Sequence, residues 1–310
     1  MQKIAIYGLG ANFNRYEMIF TSERCMGGCI VAYSDKVKKD IPLYVTPQQL
    51  QTMNVDVIIV TCVQCEDVLL ELNDDRAIHY LDYFYETWDV DRRAVKFLDY
   101  GFVEDLAAVK KFFGGSIRTF VEIGANFAQD AVLVKKVLEV NDENIYVFEP
   151  HPQIAKIVKE KYCFNIYEQA VSDYTGKSNF YICDIDKFKN NGMSSLKDSR
   201  ELYGDKYNDV EVDVIRMDEC ISSGMIPDVI DFLKIDVEGN TYEVLKGFGD
   251  SIRAVKMIQC EGDYHRYWEE ETLFDKIFEY LWESGFRMIG FRITNDYKET
   301  DSLWAQLEAI

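Results

Sequence analysis

The sequence predicts an α/β protein built on mostly parallel sheets and divided into two domains. Three observations carry this. β-Branched apolar runs of strand length alternate with stretches of helical period, the pattern of strand–helix–strand units. The central runs are apolar throughout and not alternating, as strands covered on both faces are. Several runs end in a glycine turn or an acid, and an open α/β sheet binds ligands at such carboxyl ends.

The 310 residues, 48% hydrophobic and 14% aromatic, supply well-filled cores and not a disordered chain. The formal net charge of -20 repels phosphate backbones, so nucleic acid and an anionic membrane surface are poor partners. No apolar run reaches the length of a membrane span. Met1 to Gly8 goes straight into a strand without a signal peptide's apolar region, so the expected location is cytoplasmic. Eight scattered cysteines fit reduced thiols. Cys62 and Cys65 have redox or zinc spacing, and Cys25 and Cys29 would complete four ligands. No second CxxC accompanies them, which favours small buried hydrophobes.

The first domain is expected over residues 1–90. Lys3–Tyr7 is a strand ending at Gly8-Leu-Gly10, and a helix-like stretch carries Tyr16, Ile19 and Phe20 on one side. Cys29–Ser34 is a second strand with Asp35 at its end. Pro47 stands at the first position of a helix. Val55–Thr61 is a third strand. Strand, Gly-x-Gly, helix, strand, acid is the outline of a Rossmann-like mononucleotide-binding half. Phe13 replaces the third glycine and should crowd the helix or the ligand. Residues 74–93, rich in aromatics, read as a connecting segment packed between domains, or as rings lining a carbohydrate site.

The second domain is expected over residues 91–310. A helix from Val95 to Phe113 ends at Gly114-Gly115. Strand one, Ile117–Ile123, runs into Gly124-Ala-Asn126, and the helix Phe127–Val140 follows. Gly124 has no Cβ, so a ligand can approach the backbone there. Strand two, Asn144–Phe148, ends at Glu149-Pro150. Strand three is read over Asn165–Val171, with further strands at Asn179–Cys183 and Val210–Ile215. Between these two, residues 187–207 read as a surface loop or lid. Strand four, Ile230–Asp236, precedes a helix that Asn240 and Glu243 would start as a capping box. Strand five is Ala254–Glu261, a helix covers Thr272–Glu283, and Phe286–Phe291 with Leu303–Glu308 forms a terminal strand pair.

Three strand ends therefore deliver specific chemistry: Glu122 with the Gly124 turn, Glu149, and Asp236 with Glu238. Glu149 is spaced to accept hydrogen bonds from two ribose hydroxyls, for which an acceptor-only, bidentate carboxylate is suited. A 2′-phosphate would be repelled there. Lys234 and Asp236, two apart on a strand, share a face and could pair, which would weaken Asp236 as a base.

Val121-Glu-Ile-Gly-Ala-Asn126, Val147-Phe-Glu-Pro150, Ala170-Val-Ser-Asp173, Ser194-Ser-Leu196, Leu233-Lys-Ile-Asp-Val-Glu-Gly239 and Glu243-Val-Leu-Lys-Gly247 resemble the FkbM-type family of S-adenosylmethionine-dependent methyltransferases. The resemblance covers about residues 95–265. It implies a class I methyltransferase fold: a seven-stranded, doubly wound, mostly parallel sheet with an antiparallel last hairpin, here preceded by the smaller Rossmann-like domain. It also implies O-methyl transfer, often to sugars or secondary metabolites, with S-adenosylmethionine as cofactor. Glu122 stands where many relatives carry Asp, and Phe127-Ala128 where Ile-Gly is commoner.

On that reading the cofactor-binding residues are Glu122, Gly124, Asn126, Asp130, Glu149, Pro150, Ala170, Val171 and Asp236. Acidic strand ends suit the ammonium and sulfonium, Glu149 the ribose, and Ala170, Val171 and Ser172 the adenine, with Asp173 near its amino group. Asp236 is the first choice for the base or for placing the acceptor, and Glu238, Glu261 and His265 are the alternatives. Asp236 and Glu261 could hold a divalent cation, but a third ligand is missing, so no metal is expected. The partner is a small-molecule or glycan acceptor, and a homo-oligomer is compatible. Two other readings compete: a nicotinamide-dependent sugar oxidoreductase run by the Gly8-Leu-Gly10 module, and a non-catalytic scaffold.

Overall fold

The computed structural model describes residues 1–94, 97–183, 192–198, 207–267, 270–294 and 299–306. They form two compact units, Met1–Arg92 and Arg93–Ile310.

The first unit is a parallel sheet of order β2-β1-β3-β4, from β1 (Lys3–Tyr7), β2 (Cys29–Ser34), β3 (Val57–Val60) and β4 (Ala77–His79). Its helices are α1 (Ala11–Arg15), α2 (Glu17–Phe20), α3 (Glu23–Met26), α4 (Pro47–Thr52), α5 (Cys65–Leu72) and α6 (Tyr80–Thr87). The single helix expected after Gly10 is three short ones. Thr46 and Gln49 form a reciprocal capping box ahead of Pro47, satisfying two donors that the helix start leaves open.

Residues 74–93 are no connector between domains. They supply β4 and α6, and their rings fill this unit's own core. Phe84 is fully buried, stacked on Phe20 at 5.8 Å and against Trp88 at 4.6 Å. Tyr83 Oη donates to the Met26 carbonyl at 2.6 Å, and Trp88 Nε1 to that of Cys25 at 2.7 Å. Rings so buried have no face left for a sugar. Phe13 joins the same core, stacked on Phe20 at 5.9 Å. A Cβ on Gly8 would lie 2.2 Å from Cys62 Sγ, so this glycine is needed for packing. Burial pushes the Cys65 thiol up to about 12, which makes it an inert hydrophobe and not a redox group.

The second unit holds a seven-stranded sheet of order β13-β14-β12-β11-β5-β6-β7. Its strands are β5 (Phe120–Ile123), β6 (Ile145–Phe148), β7 (Asn165–Tyr167), β11 (Ile230–Ile235), β12 (Val255–Asp263), β13 (Phe286–Thr294) and β14 (Glu299–Gln306). All pairs are parallel except those of β14, which runs antiparallel to β12 and β13. This is the expected class I methyltransferase architecture. A small second sheet, β8-β10-β9, comes from β8 (Ala170–Val171), β9 (Gly176–Cys183) and β10 (Tyr207–Ile215). The strand read over residues 165–171 is thus two, and its second half leaves the main sheet to pair with β10. Most of the expected loop at 187–207 lies outside the described residues. Within it, Ser195 is buried and bridged to Tyr181.

The helices of this unit are α7 (Tyr100–Phe113), α8 (Gln129–Val137), α9 (Pro152–Lys161), α10 (Met217–Ser222), α11 (Thr241–Gly247) and α12 (Phe274–Glu283). Asp99 caps α7 through the Phe102 amide at 3.0 Å, and Gly114 ends it at φ +69°. Asn240 does not make the expected capping box, because its side chain turns away to the Val171 carbonyl at 3.2 Å. Asp231, at the start of β11, accepts from the amides of Arg118 at 2.7 Å and Thr119 at 3.3 Å, and from Lys256 Nζ at 2.6 Å. One buried carboxylate thereby fixes the lower edge of three adjacent strands. Among the described residues no helix is long and apolar enough to cross a membrane.

Phe84→Ala should cost about 3–5 kcal/mol, as expected for a large aromatic removed from a packed core. Urea denaturation against the wild type measures it, and a loss below about 1 kcal/mol would contradict the packing described.

Candidate active site

The β5–α8 turn is a constrained stretch of backbone. Gly124 has φ +81°, and a Cβ there would lie 1.8 Å from the Asp236 carbonyl oxygen. The glycine is therefore dictated by the end of β11 beside it, and not only by ligand approach. Asn126 at φ +49° and Ala128 at φ +56° are also left-handed, a conformation that costs a residue with a Cβ about 1–3 kcal/mol and clusters at functional sites. Ala128 holds this conformation with a Cβ, so the turn tolerates it as strain.

The turn is tied to the next strand. The Gly124 and Ala125 amides donate to the Phe148 carbonyl at 3.0 and 3.2 Å. Glu149, only 5% exposed, accepts from the Asn126 amide at 2.6 Å and from the His151 amide at 2.8 Å, one on each oxygen. Burial nevertheless pushes its carboxyl up to about 7, against the two amides that favour its charge.

Above this turn opens a concavity of about 530 Å³, counted to its mouth and including open solvent. It brings together seven residues expected to act there: Gly124, Asn126, Glu149, Pro150, Ala170, Val171 and Asp236. The sequence reading gave no ligand role to Ile154, Gln169, Phe180 and Asn240, nor to Phe148 and Val237, which the resemblance quoted only within its motifs, and all six line it. Their signal was weak, since apolar residues in strands and helices read as core. Ser194 and Leu196, which the resemblance quoted without a role, line it too.

Other expected contacts lie elsewhere. Glu122, 1% exposed, and Asp130 sit beneath the pocket around Lys234, and neither lines it. Lys234 Nζ is 2.8 Å from Asp236 Oδ2 and 3.1 Å from Asp130 Oδ2. Burial pulls this ammonium's pKa down, but Asp236, Asp130 and Glu122 together drive it well above its usual value. Burial raises Glu122 well above the carboxylate range, and Lys234 opposes it. Asp173 is engaged by Lys246 at 2.6 Å and does not line the pocket. His265 is exposed, packs edge-on to Tyr267 and lines neither concavity described.

Past Asp236 the acids gather. One oxygen each of Asp236, Glu238 and Glu261 lies within 4.8 Å of the others. Two unit charges at that spacing repel by about 3.5 kcal/mol at an effective dielectric of ~20. Burial first, then Asp236 and Glu238, raise the Glu261 pKa well above its ordinary value. Asp263 is pushed up to about 10, by burial and by a carboxyl–carboxyl hydrogen bond with Glu271.

Strand order, turn and acid positions define the class: a class I methyltransferase fold with its ligand pocket at the carboxyl ends of β5, β6 and β11. The Methyltransferase FkbM domain matches residues 122–288. The chain belongs to that family of S-adenosylmethionine-dependent methyltransferases. Among solved structures it is similar to magnesium protoporphyrin IX methyltransferase from Synechocystis PCC 6803 with bound SAM, at 10% identity and TM-score 0.35 over 73% of this chain and 94% of that one. It is similar to precorrin-6y C5,15-methyltransferase from Geobacter metallireducens GS-15, at 13% identity and TM-score 0.32 over 68% and 91%. A SAM-dependent methyltransferase from Aquifex aeolicus gives 9% identity and TM-score 0.32 over 70% and 94%. At these scores no acceptor follows from the likeness. Comparison with curated proteins finds no match.

Lys234→Met should destabilise the fold by roughly 3–5 kcal/mol at neutral pH, the usual result of stripping the partner from buried charges. The loss should shrink in acid, where Asp130 takes up a proton and no longer needs the ammonium. Denaturant titrations at both pH values check this, and a pH-independent loss would contradict it.

Proposed function

We propose that the concavity seats S-adenosylmethionine and that the enzyme methylates a hydroxyl of a sugar or glycan. The observation that carries this is Glu149. It is a buried carboxylate whose oxygens are already oriented by two amides, and it faces a pocket that also holds the Gly124 turn and Asp236. Each oxygen keeps a second acceptor direction for a ribose hydroxyl. Ala170 and Val171 offer an apolar wall for the adenine.

Methyl transfer is an in-line displacement. The acceptor oxygen forms a bond to the methyl carbon as the carbon–sulfur bond breaks. The sulfonium becomes a neutral thioether, and the hydroxyl proton leaves to a base. Much of the acceleration comes from aligning the three atoms. Asp236, held at 2.8 Å by the Lys234 ammonium, is better suited to place the acceptor than to take its proton. Glu238 and Glu261, gathered beside Asp236, mark the side on which the proton leaves. Carboxylates at the mouth accept hydrogen bonds from a polyol, and a net charge of -20 speaks against a nucleic acid acceptor. The free cysteines fit a reducing compartment such as the cytoplasm.

Glu149→Ala should weaken S-adenosylmethionine binding by roughly 10–150-fold, the loss of a hydrogen bond to a charged group. Calorimetry reads it, and unchanged affinity would remove the ribose role. Asp236→Ala should abolish turnover of labelled donor with nucleotide sugars or glycan fragments while donor affinity falls only several-fold. Turnover at the wild-type rate would exclude Asp236 from the reaction.

Hydroxyl donors favour the ionised form of Glu149, so donor affinity should rise as pH climbs toward about 7 and level off above it. In Glu149→Gln that rise should vanish, and its persistence would assign the titration to another group.

A further inference from the structure

We propose that Asp236, Glu238 and Glu261 hold a hard divalent cation of the Mg²⁺ or Mn²⁺ class beside the donor pocket. The cation's binding stands by itself, and its role in the reaction rests on the donor-site reading above. The sequence offered Asp236 and Glu261 without a third ligand, and the fold supplies it as Glu238. Ligand oxygens around one octahedral ion of this class stand at about 2.0–2.1 Å, so opposite ones are about 4.2 Å apart. Adjacent ligands are about 3 Å apart, so the three carboxylates, within 4.8 Å of one another, close by up to about 2 Å, a movement that side-chain rotation supplies. An all-carboxylate set selects Mg²⁺ or Mn²⁺ over thiolate- and imidazole-seeking metals.

An independent observation points the same way. Asp263 lies two residues beyond Glu261 on β12 and therefore on the same face of the strand. It is 6% exposed, and its Oδ1 meets no hydrogen-bond partner. With Glu261 it lines a shallow, tightly packed concavity. A buried carboxylate oxygen without a partner is costly, and a cation beside Glu261 relieves it, directly or through a bound water.

The ion sits at the acceptor side of Asp236. It takes a hydroxyl oxygen of the acceptor as a ligand and lowers that hydroxyl's pKa. The released proton then passes to solvent water and not onto the carboxylates that hold the ion.

Mn²⁺ titration of the full chain, followed by the loss of the free-ion electron paramagnetic resonance signal, tests the site. Wild type should take up one Mn²⁺. Glu238→Gln and Glu261→Gln should each weaken uptake by more than the roughly 10–100-fold that even an outer-shell change costs, and Asp263→Asn by a smaller factor. Each variant is nearly isosteric and removes a repelling charge, so folding should survive. Where one does not fold, the rise in wild-type melting temperature with Mn²⁺ serves as the readout. Mn²⁺ left free by wild type at roughly 1 mM, or uptake unchanged in the Glu238→Gln/Glu261→Gln double variant, overturns the proposal. Calorimetry with S-adenosylmethionine runs alongside. Donor binding without Mn²⁺ uptake sinks the cation site alone, and Mn²⁺ uptake without donor binding sinks the methyl-donor reading while the cation site stands.

Discussion

The second unit depends on one buried ammonium. Lys234 is only 4% exposed, and such a group by itself would shed its proton. It stays charged because three carboxylates from three different places close on it. Glu122 comes from β5, Asp130 from the first turn of α8, and Asp236 from just past β11. Glu122 is buried with it and Asp130 nearly so, and both depend on its charge, while Asp236 reaches it from a side chain 43% exposed. The mutual need fixes the relative position of two adjacent strands and the helix that follows the first. The Gly124 turn lies between those anchors, with its missing side chain filled by the Asp236 carbonyl. The pocket floor is thus set by an electrostatic knot beneath it, and the ligand-facing residues inherit their placement from side chains that no ligand touches.

A comparison within the molecule separates scaffold from site. In the first unit, Asp35 follows β2 and accepts from the Leu9 amide at 2.6 Å and from the Val37 amide at 2.8 Å. Glu149 follows β6 and accepts from the Asn126 amide in the neighbouring turn and from His151 two residues on. The two arrangements match in kind. An acid bonded to the glycine turn of the preceding strand is therefore a way of building the crossing of two parallel strands. What distinguishes Glu149 is the concavity beside it, its depth, and Asp236 across the turn. In the first unit Phe13 and its aromatic neighbours are packed together as core. The nucleotide-binding outline visible in residues 3–35 is explained as architecture.

The strands were legible because buried parallel strands are written as apolar runs, as in Ile230–Ile235 and Val57–Val60. The Gly124, Glu149 and Asp236 positions were legible because each sits where a strand stops and polar chemistry begins. The direction of an acid was not. Glu122 and Gly124 are two apart and share a face, yet Glu122 reaches down to Lys234, and only the helix packed below reveals it. Asp130 was paired across 104 residues of sequence, a distance that no local pattern encodes. The α6 helix did carry its signal, with Tyr80, Tyr83, Phe84 and Trp88 at helical spacing and all buried. It was obscured by an unusual start, since His79 caps it through Nδ1, 3.1 Å from the Leu81 amide. Asn240 misled in the opposite sense. Its side chain fits a capping pattern but is drawn off by the Val171 carbonyl, which binds the small sheet to the rim of the pocket.

The acidity of the rim has a consequence for turnover. With the donor seated as proposed, Asp236, the acid of this group that lines the pocket, faces a sulfonium that carries a full positive charge. Transfer of the methyl group removes that charge, and the thioether left behind gains nothing from the same acid. The attraction therefore belongs to the donor and not to its product. At an effective dielectric of ~20, one unit charge about 6 Å away contributes close to 3 kcal/mol before screening. Even a third of that would favour the charged species several-fold. A site floored by a neutralised lysine and rimmed by acids can thus hold its donor, release its product and keep its shape. The charge that fixes the fold lies below the turn, and the charge that acts on the ligand lies beside it.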